Sequence, residues 1–188
     1  MEGTALMTDA AAENTGLGQR LNEALPVSPE AFVSAMRVQA TAVNVVTSDG
    51  PAGRVGVTVS AMSSVSAEPP LILACVNRRS PCVATIRRNG VFCINALSVE
   101  QSHLADTFAG RPSNGVPFDF EAAGWTSLET GAPVLVDAVA NLDCTIHEIV
   151  EAGSHTIFIG LVLAAQHRNV KPLIYCDRSY GAPGPLGE

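Results

Sequence analysis

Apolar and polar positions alternate with a period of two over most of this chain, and helical periodicity is confined to a few short stretches. Val55, Val57 and Val59 alternate with Gly56, Thr58 and Ser60, the pattern of a strand with one face in a core. Residues 42–47, 54–60, 71–76, 91–97, 142–150, 156–165 and 173–175 read as strands on the same grounds. The first two flank Ser48-Asp49-Gly50-Pro51-Ala52-Gly53, a dense turn signal that predicts a hairpin with a longer loop. Between 54–60 and 71–76 lies a passage rich in hydroxyls, Ser60, Ser63, Ser64 and Ser66, closed by Glu68 and two prolines. It reads as an extended bend.

Helical signals are local. Ser28-Pro29 pairs an N-cap residue with proline at the first helical position and predicts a helix over 29–37, with Phe32, Val33 and Met36 on one face. Ser80-Pro81 opens a second short helix with Val83 and Ile86 on its apolar face. Ser98-Val99-Glu100-Gln101 has the form of a capping box for a third helix over 99–109, and Gly110 stands at its C′ position. Residues 111–132 form an excursion with Phe118, Phe120 and Trp125, which either cover an interface or cofactor cleft or pack in the core. Strands and helices do not alternate as βαβ units, so a closed or nearly closed antiparallel barrel is expected rather than a doubly wound sheet. Residues 1–27 read as a flexible tail and 28–188 as one domain.

Composition narrows the function. With 188 residues, 47% hydrophobic and 15% charged, the chain has much to bury and little surface charge, a balance suited to a compact oligomer. The net charge of -7 argues against nucleic-acid binding, so an anionic ligand must be held by local donors. Cys75, Cys82, Cys93, Cys144 and Cys176 are an odd set without CxxC spacing, as in a reduced cytoplasmic protein. The start carries Glu2 and Asp9 rather than a basic segment and an apolar core, and no run is long enough to span a membrane.

Nucleotide-binding glycine motifs and metal-ligand spacings are absent; His147 and His155 could meet across a hairpin, but without a third ligand. Two features point to a ligand. In the serine-rich passage, Thr58 and Ser60 share a face beside the open space left by Gly56, and Ser63, Ser64 and Ser66 follow where hydroxyls and backbone N–H groups can converge on an acceptor. The plain alternative is a turn bonding to its own backbone. Next, Asn77-Arg78-Arg79-Ser80-Pro81 leads from a strand into a helix N-terminus, a ready phosphate site. Arg78, Arg79, Arg87 and Arg88, four of only 11 Lys and Arg residues, gather positive charge near it. A solvated basic face is the alternative. Together the two features suit a phosphorylated small molecule.

Four blocks, GVTVSAMSSVSAEPPLILACVN, the Ser80-Pro81 helix with VFCINAL, QSHLADTFAG, and GSHTIFIGLV with PLIY, resemble in this order the short-chain flavin reductases over residues 30–180. These are reductase components of two-component flavin-dependent monooxygenases, in the FMN-binding split-barrel superfamily. The resemblance implies a mostly β fold, an antiparallel Greek-key split β-barrel with a few short helices, assembled as a homodimer. It implies that Thr58, Ser60, Ala61, Ser63 and Ser64 line the flavin, with Asn77, Ser80 and Thr85 nearer its phosphate. His155 falls in the family's Gly-Asp-His block, written here Gly153-Ser154-His155, and is the implied nicotinamide–flavin site residue; a hydrogen-bonded core histidine is the alternative. Tyr175 and Tyr180 match a segment near the nicotinamide or flavin edge. The implied activity is reduction of FMN or FAD by NADH or NADPH through hydride transfer. Diffusible reduced flavin then serves a partner monooxygenase. The other reading is a non-catalytic flavin- or haem-binding split barrel.

Overall fold

The computed structural model describes residues 25–113 and 115–185; the stretch expected as a tail lies almost wholly outside them. The described residues fall into two units, 25–37 and 38–185. In the first, helix α1 runs Pro29–Arg37. Its N-cap is Ser28, whose Oγ accepts the Ala31 N–H at 3.2 Å. None of its residues is buried.

The second unit is built on a seven-stranded sheet. The strands are β2 (Asn44–Ser48), β3 (Val55–Val59), β4 (Met62–Ala67), β5 (Pro70–Asn77), β6 (Val91–Ala96), β9 (Ala140–Ala152) and β10 (His155–His167). Their order is β3-β2-β6-β9-β10-β5-β4, and every neighbouring pair is antiparallel. From β3 at one edge the chain lays down β4 at the opposite edge, then β5 beside it. It crosses by helix α2 (Cys82–Asn89) to return as β6 next to β2. That non-sequential path is the expected Greek-key character. The sheet curls, because one core cluster joins Val59 at one end of the order to Ile72 near the other, together with Val46, Phe92, Ile94 and Phe158. Yet β3 and β4 are not laddered to each other. The Cys75 N–H donates to the Ala61 carbonyl at 2.9 Å in the seam, and α2 buries Cys82 and Ile86 in the same core. The barrel is split.

Strand β2 is buried at all five positions because both faces are covered. Its outer face meets a second core of Val43, Val45, Leu97, Leu104, Ala105, Phe108 and Leu135. Much of that layer comes from α3 (Ser102–Phe108) and the 3₁₀ turn Val99–Gln101 before it. The capping box is present, with the Ser98 N–H donating to Gln101 Oε1 at 3.1 Å. Gly110 takes φ 76° after the helix. Phe120 and Trp125 pack against this core, whereas Phe118 is exposed. The segment just after the excursion is stitched to the sheet through fully buried Asn95. Its Nδ2 donates to the Val45 carbonyl at 3.0 Å, and its Oδ1 accepts from Leu135 N and Asn141 Nδ2, both at 2.8 Å.

Three expectations change. The serine-rich passage is mostly a strand, β4, paired with β5 and bulged between Ser64 and Ser66. As an edge strand with solvent on one side it tolerates serines that a central strand would not. The strand expected over 42–47 breaks at Val43 into β1 (Thr41–Ala42) and β2, because β1 pairs instead with β11 (Ile174–Cys176). Beside β11 lies an unexpected β12 (Ser179–Gly181). Asp177 and Arg178 carry φ of 46° and 64° between them, the positive values a type I′ turn needs and glycine or asparagine usually supplies. Short strands β7 (Trp125–Thr126) and β8 (Val134–Leu135) form a separate pair. Among the described residues no helix is long and apolar enough to cross a membrane.

Candidate functional site

Strand β3 sends Val55, Val57 and Val59 into the inner core, leaving Gly56, Thr58 and Ser60 on the face toward α3 by the alternation of the pleat. The space beside Gly56 is not open. A Cβ there would stand 2.6 Å from Phe108 Cε1, so the missing side chain admits a core ring rather than a ligand. One step along, Thr58 Oγ1 donates to the Ala105 carbonyl at 2.8 Å and ties β3 to α3. Beyond that contact a cleft of about 180 Å³ opens, with Thr58, Ser60, Arg111, Tyr175 and Tyr180 among its walls and Val43 beside them. The β11–β12 hairpin brings the two tyrosine rings to 5.4 Å. Tyr180 OH donates to Asp106 Oδ1 at 2.9 Å. Burial first, then the Asp106 carboxylate, push this phenol up to about 12, so it remains a donor at neutral pH.

A second cleft, of about 560 Å³, is lined by Asn77, Arg78, Arg79, Gly153 and Ser154. It forms where β5 ends against the β9–β10 turn. Asn77 Oδ1 accepts the Arg79 N–H at 2.9 Å, and the Asn77 carbonyl accepts the Ser80 N–H at 2.9 Å. The helix starts one residue later than expected, with Pro81 at the N-cap position and no side-chain cap, although Ser80 Oγ accepts the Cys82 N–H at 3.3 Å. Arg78 reaches across, its backbone N–H to the Ser154 carbonyl at 3.0 Å and its Nη1 to the Gly153 carbonyl at 3.2 Å. His155 is half-buried, faces Asn77 in the ladder, and has its Nδ1 2.8 Å from Ser154 Oγ.

The basic cluster is less concentrated than its sequence suggested. Arg87 and Arg88 lie in the last turn of α2, roughly 8–9 Å along the helix from its first residue. There they face the negative end of the dipole. Arg78 and Arg87 both pair with Glu151. A hydrogen bond from Thr156 and these two guanidinium groups hold the Glu151 carboxyl below its ordinary range. Arg79 has no side-chain ion pair among the described residues.

The structure thus brings Thr58, Ser60, Tyr175 and Tyr180 into one cleft, and Asn77 into another that borders Ser80 and His155. Ala61 is exposed in the seam between β3 and β4. Ser63 and Ser64 are exposed on β4, with Ser63 Oγ donating to the Ser64 carbonyl at 3.2 Å. Thr85 is half-buried on α2 and lines neither cleft. His147 and His155 do not meet. His147 falls at a bulge opposite Ile159 and Gly160, four to five residues from His155, or roughly 13–16 Å along the strand. A larger cavity, about 720 Å³, lies along the Val99–Gln101 turn beside His103, Asp137 and Lys171. None of the candidate residues lines it. Asp106 stands within the QSHLADTFAG block and Arg111 directly after it, and neither was among the residues expected at the site.

The donor set fits a flavin. Among the described residues the Ser60 and Ser64 hydroxyls donate no hydrogen bond and the Arg79 and Arg111 guanidinium groups form no ion pair, and a flavin presents ring carbonyls and a phosphate that need donors. The smaller cleft encloses only part of a tricyclic ring, as suits a molecule that binds reversibly. Comparison with known proteins agrees. A stretch of 161 residues is 42% identical to the FMN reductase (NADH) RutF of Bradyrhizobium diazoefficiens, covering 84% of this chain and 87% of that protein. The Streptomyces globisporus NADH:FAD oxidoreductase SgcE6, solved in complex with NAD and FAD fragments, matches with a TM-score of 0.75 at 31% identity. The match covers 88% of this chain and 100% of that one. BorF, the flavin reductase component of a bacterial two-component tryptophan halogenase, matches with a TM-score of 0.74 at 29% identity, over 85% of this chain and 100% of its own. Residues 36–184 match the flavin reductase like domain, and the chain belongs to that family.

Proposed function

We propose that this protein is an NADH-dependent flavin reductase that takes FMN as a diffusible substrate and passes reduced flavin to a partner monooxygenase. The observation that carries the site is the convergence of Thr58, Ser60, Tyr175 and Tyr180 from three separate segments on one cleft. The preference for FMN and NADH follows the 42% identical FMN reductase (NADH), and the partner follows from reductase components such as BorF.

When bound, the flavin accepts a hydride at N5 from the nicotinamide C4, and the cofactors supply that chemistry. The protein's work is positioning. Ser60, Ser64 and Ala61 in the split seam border the flavin, and Thr58, held by Ala105, keeps β3 in place behind it. Tyr175 and Tyr180 cover one edge, with Tyr180 locked by Asp106. Asn77 and Ser80 hold the turn before α2 in the shape that presents Arg79 to the phosphate. Thr85, one turn further in, supports that helix rather than touching the ligand. His155, braced by Ser154, orients the nicotinamide. The exposed β4 edge and the low share of charged residues suit a homodimer in which a second copy completes the open side of the cleft. Five free cysteines suit a reducing cytoplasm.

The test is loss of NADH absorbance by the purified protein with FMN, FAD or riboflavin added in turn. Turnover that depends on added flavin is expected, fastest with FMN. Tight flavin binding without NADH oxidation would move the chain to the non-catalytic reading. Light scattering checks the dimer.

A further inference from the structure

Arg111 is a cation without a counter-ion in the cleft that holds Thr58, Ser60, Tyr175 and Tyr180. Its backbone is fixed where α3 ends, with the Arg111 N–H donating to the Asp106 carbonyl at 3.0 Å and the Gly110 N–H to the Thr107 carbonyl at 3.1 Å. Asp106, whose Oδ1 accepts the Tyr180 hydroxyl, forms no ion pair with Arg111 among the described residues. Arg54, Arg78, Arg87 and Arg168 are all paired with carboxylates. Arg111 is exposed yet lines the cleft, so in a chain of net charge -7 its guanidinium is available to an anion there.

We propose that Arg111 is a catalytic residue that stabilises the negative charge appearing on the flavin when it is reduced. This rests on the flavin reductase reading. Hydride transfer breaks the nicotinamide C4–H bond and forms the flavin N5–H bond, moving two electrons with one proton. The nicotinamide becomes cationic, and the flavin gains one negative charge, which settles on N1 and the C2 carbonyl. A guanidinium beside that edge binds the reduced ring better than the oxidised one, the differential interaction that lowers a barrier. Its rigid fork of donors matches the adjacent N1 and O2 acceptors. The cleft walls supply the rest of the frame. Tyr180, fixed by Asp106, limits where the ring edge can sit.

The experiment is anaerobic titration of the protein and its Arg111→Met and Arg111→Lys variants with oxidised and reduced FMN, and with oxidised and reduced riboflavin. Arg111→Met is expected to weaken reduced FMN about tenfold and oxidised FMN by less than about threefold, with the same asymmetry for riboflavin. Arg111→Lys should recover part of the loss. Equal weakening of both redox states, or a loss seen with FMN but not with riboflavin, would make Arg111 a phosphate contact and overturn the proposal. No change in any affinity also overturns it. Failure of the unmodified protein to bind any flavin refutes the underlying flavin reading, and the Arg111 assignment falls with it.

Discussion

Replacing Gly56 by alanine adds one methyl group where the fold has no room for it. The new Cβ would lie 2.6 and 2.7 Å from Phe108 Cε1 and Cδ1 and 3.3 Å from Phe120 Cζ, against about 3.5–4.0 Å for a comfortable carbon pair. Phe108 cannot retreat. It is fully buried, and Phe120 and Trp125 hold it edge-on with centroids at 5.0 and 5.7 Å. The strand must give instead, and β3 is free to do so because only β2 pairs with it. The overlap of about 1 Å is of the overpacking kind that costs roughly 1–3 kcal/mol. Outward movement of β3 also stretches the Thr58–Ala105 bond and widens the cleft, so flavin affinity should fall together with stability. Urea denaturation of Gly56→Ala, Phe108→Leu and the double variant reads the coupling directly. Phe108→Leu alone loses packing, but it removes the ring atoms that the methyl strikes. The double variant should therefore be more stable than the two single losses predict, by about 1 kcal/mol. Additive losses, or a Gly56→Ala variant within about 0.5 kcal/mol of the parent, would show that Phe108 is not what excludes the methyl.

Three further perturbations test other parts of the structure. Tyr180 has its phenol raised from 10.0 to about 12, so its contribution to stability is complete below pH 10 and is lost as pH rises toward 12. Tyr180→Phe should lack that alkaline decline in stability, by an amount of about 1 kcal/mol after allowance for solvent screening. Glu151→Gln frees Arg78 and Arg87, and isothermal titration with inorganic phosphate should show tighter binding in the Asn77–Ser154 cleft. Because the Glu151 pKa is lowered, its stabilising effect is present above the ordinary carboxylate range and is lost as pH falls through the folded value; the variant should show less acid sensitivity in thermal melts. Asn95→Leu leaves the Leu135 N–H and the Val45 carbonyl short of a buried partner, at about 1–3 kcal/mol for each such group. A loss below about 1 kcal/mol in urea unfolding would mean that the segment around Leu135 is held by its apolar contacts instead.

What the sequence determined by itself was everything whose cause lies within a few residues. The period-two runs became strands, Ser28 and Ser80 accept N–H groups at their helix starts, the Ser98–Gln101 box closed, and Gly110 took its left-handed conformation. Thr58, Ser60 and the tyrosines were legible as candidates because they stand in blocks that resemble a family. Tertiary structure decided what depends on partners far along the chain. Edge position made a strand of the serine passage that looked like a bend. A ring 52 positions away filled the space beside Gly56. Glu151 claimed Arg87 across 64 positions, and the ladder register kept His147 from His155. Arg111 carried no signal of its own, because an arginine after a helix reads as surface, and only the fold shows that this exposed one lines a cleft and forms no ion pair among the described residues. Period and capping are set by local sterics and backbone hydrogen bonds, whereas charge pairing and cavity walls are set by strand order, which one chain read in isolation does not reveal.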